Sequence, residues 1–213
     1  MYQCLNIGIL TNEFLNAYFQ PMIRQICLLV FKLTGWKASK DIPPQTNKCI
    51  IIAAPHTSNW DFWYCMATFA IYRLPIRFTL KKEWMKFPFN LIMKPLGGIA
   101  IDRSPRGPEN IRPSFVEAMT NLFNENEKLI IVITPEGTRS RNDEWKTGFY
   151  HVAKAANVPI CLGYVDYGKK LTGITHPFMP SKYEQDMKKM MDFYQTIEAK
   201  FPEKFAIDKS VAE

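Results

Sequence analysis

Short apolar runs rich in β-branched residues alternate with longer stretches of helical periodicity along most of this chain. The clearest run is Lys48 to Ala54, KCIIIAA, which ends at a proline and is typical of a strand buried on both faces of a sheet. Further strands are predicted at 76–80, 98–101, 129–134 and 158–165, and helices at 61–72, 84–94, 108–126, 146–157 and 183–200. The alternation predicts a single α/β domain with a mostly parallel or mixed sheet flanked by helices.

The N-terminal part of the chain predicts an amphipathic helix. Apolar residues recur at helical spacing over residues 13–33. The longest unbroken apolar run there, 26–31, is far shorter than the roughly 20 residues that span a bilayer. We therefore interpret residues 1–36 as an amphipathic, membrane-associating helical segment and residues 37–213 as the main domain. An ordinary helix packed on the core is the alternative.

Charge and cysteine content narrow the partners and the compartment. The formal net charge of +7 favours an anionic partner, which could be a membrane surface, an acidic carrier protein or nucleic acid. Aromatic and basic residues are not interleaved as in a nucleic-acid stacking surface, so no nucleic-acid partner is predicted. The five cysteines are widely spaced and form no metal-ligand series, and the first residues do not resemble a secretory signal. These features predict a cytosolic location and no metal site.

A histidine and an aspartate follow the strand at 48–54. His56 lies in the strand exit and Asp61 five residues later, near the start of the next helix. A turn between them can bring the imidazole and the carboxylate together, which makes His56 a candidate general base and Asp61 the group that orients it. The alternative is a structural histidine beside an acid at a helix start, because this spacing also occurs by chance.

Two further strand exits carry polar side chains suited to anions and hydroxyls. One exit contains Asp102 and Arg103, where the arginine fork can bind phosphate or carboxylate. The other exit is PEGTR, in which a carboxylate, a glycine, a hydroxyl and a guanidinium are adjacent; these residues are Glu136, Gly137, Thr138 and Arg139. Functional groups of open α/β sheets gather at the carboxyl ends of strands, so the three exits are predicted to form one site.

In this order, the three strand exits resemble the motifs of the glycerolipid and lysophospholipid acyltransferase family. His56 and Asp61 match the first motif, residues 97–103 (GGIAIDR) the second, and residues 135–139 (PEGTR) the third. Residues 158–160 (VPI) resemble the fourth, and the likeness covers roughly residues 48–165. The resemblance implies a glycerol-3-phosphate-acyltransferase-like fold, and therefore an acyltransferase domain over residues 37–213.

The resemblance also implies a reaction. The hydroxyl of a lysophospholipid, with 1-acylglycerol-3-phosphate as the first choice, would attack an acyl thioester on CoA or acyl carrier protein directly, with no bound cofactor or metal. His56 would take the proton and Asp61 would hold His56. The acceptor head would be bound by the second and third motifs, namely Asp102, Arg103, Glu136, Gly137, Thr138 and Arg139. Backbone amides just after His56 are the hypothesised donors to the oxyanion.

Two alternatives to this reaction remain open from the sequence. Thr134 stands where the family commonly has an aromatic residue, and this departure leaves room for an acceptor with a non-glycerol head, such as an amino-acid-headed lipid. A lipid thioesterase or hydrolase would also use a His–Asp pair, although no G-x-S-x-G elbow is present.

The predicted location follows from the expected substrate, because the enzyme must take a lipid acceptor from a membrane. We expect a peripheral or monotopic protein at the cytoplasmic face, on an anionic membrane surface. Four lysines are candidates for contact with such a surface or with an acidic carrier; they are Lys81, Lys82, Lys86 and Lys94.

Overall fold

The computed structural model describes residues 21–40, 47–80, 85–94, 96–100 and 113–208. A seven-stranded sheet forms its centre, in the order β1-β7-β6-β2-β5-β3-β4. The strands are β1 (Lys37–Ala38), β2 (Lys48–Ala53), β3 (Ile76–Leu80), β4 (Gly98–Ala100), β5 (Leu129–Ile133), β6 (Ile160–Asp166) and β7 (Leu171–Ile174). Strands β2 to β6 run parallel, whereas β7 is antiparallel to β6 and parallel to β1. The α/β class and the mixed sheet are confirmed.

Helices cover both faces of this sheet. In the described residues they are α1 (21–34), α2 (Asn59–Tyr72), α3 (Asn90–Met93), α4 (Phe115–Glu125), α5 (Gly148–Ala155) and α6 (Tyr183–Gln195), followed by a 3-10 turn at Pro202–Lys204. The predicted helix at 84–94 is much shorter than expected, because Pro88 has no N–H to donate within a helix. The predicted last helix ends at Gln195 rather than near Lys200.

The central strand β2 explains why the sheet needs cover on both sides. Ile50, Ile51 and Ile52 are each at most 1% exposed. Ile50 and Ile52 pack in the core shared with α4, α5 and α6, whereas Ile51 packs in the core shared with α1 and α2. Each buried isoleucine contributes roughly 1.5–3 kcal/mol, so this strand fixes a three-layer arrangement.

Helix α1 has two different apolar faces. Cys27, Leu28 and Phe31 pack in the core beside α2, and the Arg24 guanidinium donates to the Ile71 carbonyl at 3.0 Å. The described part of the predicted N-terminal helix is therefore helical, while residues before 21 lie outside the described ranges. In the part of the chain that the structure describes, no helix has the length and apolarity needed to cross a membrane. The division into 1–36 and 37–213 stays a prediction.

Tyr194 connects α6 to the two strands that end nearest the site. Its hydroxyl is fully buried and lies 2.8 Å from the Ile52 carbonyl and 3.2 Å from the Gly163 carbonyl. We expect Tyr194→Phe to lower the free energy of unfolding by about 1–2 kcal/mol, because the carbonyls lose a buried donor. Urea denaturation followed by circular dichroism measures this change.

The matched control is Tyr183→Phe on the same helix. Tyr183 is half-buried, and its hydroxyl has no hydrogen bond among the residues that are described. Its loss should change the free energy of unfolding by less than about 0.5 kcal/mol. Equal destabilisation by the two variants would contradict the role given to the Tyr194 hydroxyl.

Candidate active site

The predicted histidine lies where β2 leaves the sheet. The His56 backbone N–H donates to Oε1 of Glu136 at 2.7 Å, and 18% of the His56 side chain is exposed. Burial is the main cause that lowers the pKa of the imidazole below its usual 6.5. The Asp61 charge opposes this shift and the Arg139 charge adds to it. The imidazole is therefore neutral near pH 7, as a proton acceptor must be.

Asp61 is held by the turn that begins α2. Ser58 is the N-cap of this helix, and its hydroxyl accepts from the Trp60 N–H at 2.9 Å. One oxygen of Asp61, Oδ2, accepts from the backbone N–H groups of Thr57 and Ser58 at 2.6 and 2.7 Å. This capping box, which satisfies the free amides at the helix start, fixes the carboxylate. Oδ2 also lies 3.8 Å from Nδ1 of His56, so the structure brings the predicted pair together.

A residue that the sequence did not suggest completes the environment of Asp61. Tyr167 directly follows β6, and its hydroxyl donates to the second carboxylate oxygen, Oδ1, at 2.8 Å. Its ring is packed edge-on against Trp36 and Tyr64, with centroids 5.0 and 5.9 Å away. The only sequence signal for Tyr167 was its position at a strand exit, which many residues share. With Tyr167, both oxygens of Asp61 have partners.

The amides just after His56 do not fit their hypothesised role. The N–H groups of Thr57 and Ser58 are already bonded to Asp61. The hypothesis that these amides bind the oxyanion is therefore wrong for this geometry, because a donor that is already used cannot be presented to a reacting oxygen.

Glu136 lies beneath the site. It follows β5, is 1% exposed, and gives one carboxylate oxygen to the His56 backbone. Burial raises its pKa to about 7 against the opposing effect of this hydrogen bond. The structure thus shows Glu136 joining the exits of β2 and β5, while the predicted contact with an acceptor hydroxyl stays a prediction.

The rest of the PEGTR motif forms an exposed loop beside His56. Gly137 has φ +67°, a left-handed conformation that favours glycine. The Thr138 hydroxyl accepts from the Ser140 N–H at 3.2 Å, and Arg139 is exposed. Asp102 and Arg103, the predicted residues of the second motif, lie outside the described residues.

A cavity of about 890 Å³ opens beside His56. Arg139 and Lys146 line it together with His56 and Asp61, and Lys146 was not predicted from the sequence. Most of the remaining lining is apolar. It includes side chains of α2, β3, α3 and α4, namely Phe62, Met66, Phe69, Phe78, Leu80, Met93 and Phe115. The cavity therefore combines a mostly apolar lining with two cations and an imidazole.

The cysteines near the site are poor nucleophiles. Cys65 lines the cavity, but burial raises the pKa of its thiol to about 12, so the reactive thiolate is scarce at neutral pH. Cys161 is buried, and a hydrogen bond with Cys49 together with burial raises its pKa strongly. Among the described residues no group of three His, Cys, Asp or Glu side chains could hold a metal ion.

Comparisons with known proteins identify the family of this chain. A family model described as acyltransferase matches residues 37–162, more than half of the chain. The 1-acyl-sn-glycerol-3-phosphate acyltransferase of Salmonella typhimurium is 30% identical in an alignment 182 residues long that covers 76% of this chain and 70% of that protein. The protein of the same name from Haemophilus influenzae is 29% identical in an alignment 178 residues long that covers 74% of this chain and 70% of that protein. No solved structure matches the chain.

The family resemblance predicted from the motifs is thus confirmed, and four of the described motif residues line one cavity: His56, Asp61, Gly137 and Arg139. The chain belongs to the acyltransferase family and is an enzyme that transfers acyl groups.

Proposed function

We propose that this enzyme transfers a fatty acyl chain from a thioester, on CoA or acyl carrier protein, to the hydroxyl of a lysophospholipid of the 1-acylglycerol-3-phosphate type. The observation that carries the proposal is the neutral His56 imidazole beside Asp61 on the wall of a large apolar cavity. The relatives in Salmonella and Haemophilus are named for this acceptor. No bound cofactor is required by these residues.

The proton transfer follows from the orientation of the imidazole. Nδ1 is the nitrogen near Asp61, so Nε2 is left to accept the proton of the acceptor hydroxyl. The hydroxyl oxygen bonds to the thioester carbonyl carbon, the carbon–sulfur bond breaks, and the imidazolium returns its proton to the departing thiolate. The distance of 3.8 Å between Nδ1 and Oδ2 is longer than a hydrogen bond and is expected to shorten when the substrates bind.

The cavity supports the choice of a lipid substrate. Its apolar wall offers an acyl chain a place away from water, which favours binding by roughly 0.8 kcal/mol for each buried methylene. Arg139 is on the same cavity wall and is suited to a phosphate. The remaining predicted contacts with the acceptor, by Asp102, Arg103, Glu136, Gly137 and Thr138, are part of the same proposal.

Two exposed apolar surfaces support the proposal that the protein binds a membrane peripherally, while the cytoplasmic face stays a prediction from the sequence. Outside its packed face, α1 exposes a stripe of residues at spacings of three and four; these are Met22, Ile23, Ile26, Leu29, Val30 and Leu33. The segment 86–94 exposes Phe87, Phe89 and Leu91 between Lys86 and Lys94. Apolar side chains flanked by lysines suit the interface of an anionic membrane, from which a lipid acceptor must be taken.

The activity of a His56→Ala variant tests the general base. We expect kcat/KM for acyl transfer to fall by roughly 10²- to 10⁴-fold, because the acceptor hydroxyl loses its proton acceptor. Purified protein is incubated with long-chain acyl-CoA or acyl carrier protein and a panel of lysolipid and hydroxylated, amino-acid-headed acceptors, and products are identified by mass spectrometry.

His151→Ala is the matched control, because His151 is exposed on α5 and stacks on Tyr183 away from the cavity lining. Full acyl transfer by the folded His56→Ala variant would contradict the assignment of His56 as the general base. Release of free fatty acid by the wild type, with no acylated acceptor from any member of the panel, would instead identify a thioesterase.

A titration of His56 tests whether Arg139 and Asp61 shift the pKa of its imidazole as proposed. Arg139 lowers this pKa, so Arg139→Ala should raise it; Asp61 raises the pKa, so Asp61→Asn should lower it. Nuclear magnetic resonance of the ring protons can follow the titration, because the chain has only 3 histidines. Arg141→Ala is the control, since Arg141 is already paired with Asp143 at 3.1 Å. An equal shift in the Arg139 and Arg141 variants would contradict the proximity of Arg139.

The exposed stripe of α1 generates a test of membrane binding. Leu33, 75% exposed, is replaced by glutamate, and the control Gln25→Glu adds the same charge to the same helix. We expect Leu33→Glu to weaken binding to vesicles containing anionic lipid about tenfold, the loss of roughly 1.4 kcal/mol of apolar burial. Sedimentation of the full chain with vesicles measures the effect. Equal binding of the two variants would argue against insertion of this stripe.

A further inference from the structure

Among the described residues that line the cavity, Lys146 is the cation that the proposed reaction does not use. It follows Trp145, which is 5% exposed and is fixed by bonds from its backbone N–H to Asp208 and from its indole to the Ala206 carbonyl, at 3.1 and 3.0 Å. The Lys146 N–H donates to the Pro135 carbonyl at 2.9 Å. The backbone of Lys146 is therefore held against the start of the PEGTR loop.

The side chain of Lys146 folds over this loop. A Cβ atom added to Gly137 would stand 2.6 Å from Nζ of Lys146 and 2.8 Å from its Cε. Because Nζ and Cε are the flexible end of the lysine, such a Cβ would displace them at little cost, and it is the φ of +67° that favours glycine at this position. The ammonium group lies over the Gly137 backbone, two residues along the chain from Arg139, and Lys146 and Arg139 line the same cavity as His56.

Among the residues that the structure describes, Lys146 and Arg139 have no ion-pair partner. The ion pairs within the described ranges are His56 with Asp61, Arg141 with Asp143 and Lys169 with Asp166. Neither Lys146 nor Arg139 takes part in any of them. The carboxylate closest in sequence, Glu136, is buried and directed at the His56 backbone. Two uncompensated cations on a cavity wall attract a ligand group that carries more than one negative charge.

We infer that Lys146 is a binding residue for the acceptor, supplying with Arg139 the two positive charges that hold a phosphate monoester. The inference rests on the proposed function and deepens it. A phosphate monoester carries about −1.5 to −2 at neutral pH, whereas an amino-acid head has one carboxylate and one ammonium that Lys146 and Arg139 would repel. Lys146 therefore selects lysolipids with a terminal phosphate over zwitterionic or uncharged ones.

Steady-state kinetics of Lys146→Gln test this inference. We expect the KM for 1-acylglycerol-3-phosphate to rise about tenfold or more, as the loss of a charge-assisted hydrogen bond predicts. The KM for the acyl thioester should not change, and neither should kcat/KM for the uncharged acceptor 1-acylglycerol. Lys146→Arg should recover most of the affinity for the phosphate acceptor. Lys188→Gln, at an exposed position of α6, is the control for the loss of one positive charge.

Each outcome separates the inference from the reaction on which it rests. A wild-type enzyme that acylates lysolipids while Lys146→Gln keeps the wild-type KM for the phosphate acceptor overturns the inference alone. A raised KM for the donor would assign Lys146 to the phosphates of CoA or the carrier and would also overturn it. Absence of transfer to every lysolipid by the wild type overturns the proposed function together with the inference. Circular dichroism of each variant verifies the fold.

Discussion

The hydrogen bonds of the Asp61 carboxylate hold the site together. Oδ2 closes the turn between β2 and α2 by accepting from Thr57 and Ser58, and Oδ1 accepts from Tyr167 after β6. One side chain thus ties a helix start to the ends of two neighbouring strands. The same carboxylate lies 3.8 Å from Nδ1 of His56, so the groups that stabilise the turn also place a negative charge beside the imidazole.

Glu136 plays the corresponding part on the other side of His56. Its buried carboxylate holds the His56 backbone rather than its ring, and so fixes the end of β2 relative to the end of β5. Because Glu136 is used in this way, the polar groups left on the cavity wall beside the loop are cationic, from Arg139 and Lys146. In the proposed function, these two cations would bind the phosphate of the acceptor.

Helix α1 shows how one element can serve both the core and a surface. Phe31 is buried with Trp36, whose ring stacks on Tyr64 at 3.9 Å and contacts Tyr167 edge-on. The opposite stripe of α1 leaves its apolar side chains in solvent. Exposure of a contiguous apolar stripe is costly for a protein in water, and the cost disappears when a membrane covers it.

The sequence by itself determined the α/β class and the positions of five strands, and it predicted that His56 lies near Asp61. These strands can be predicted because a short apolar run that ends at a proline or a glycine turn is recognised from neighbouring residues alone. It missed β1 and β7, whose two and four residues are too short to show a period. Tertiary structure alone decided that Tyr167 completes Asp61, that Glu136 holds the His56 backbone, and that Lys146 lies over Gly137. These contacts join residues from 9 to 106 positions apart, and no periodicity of a sequence encodes which distant side chains a folded sheet brings together.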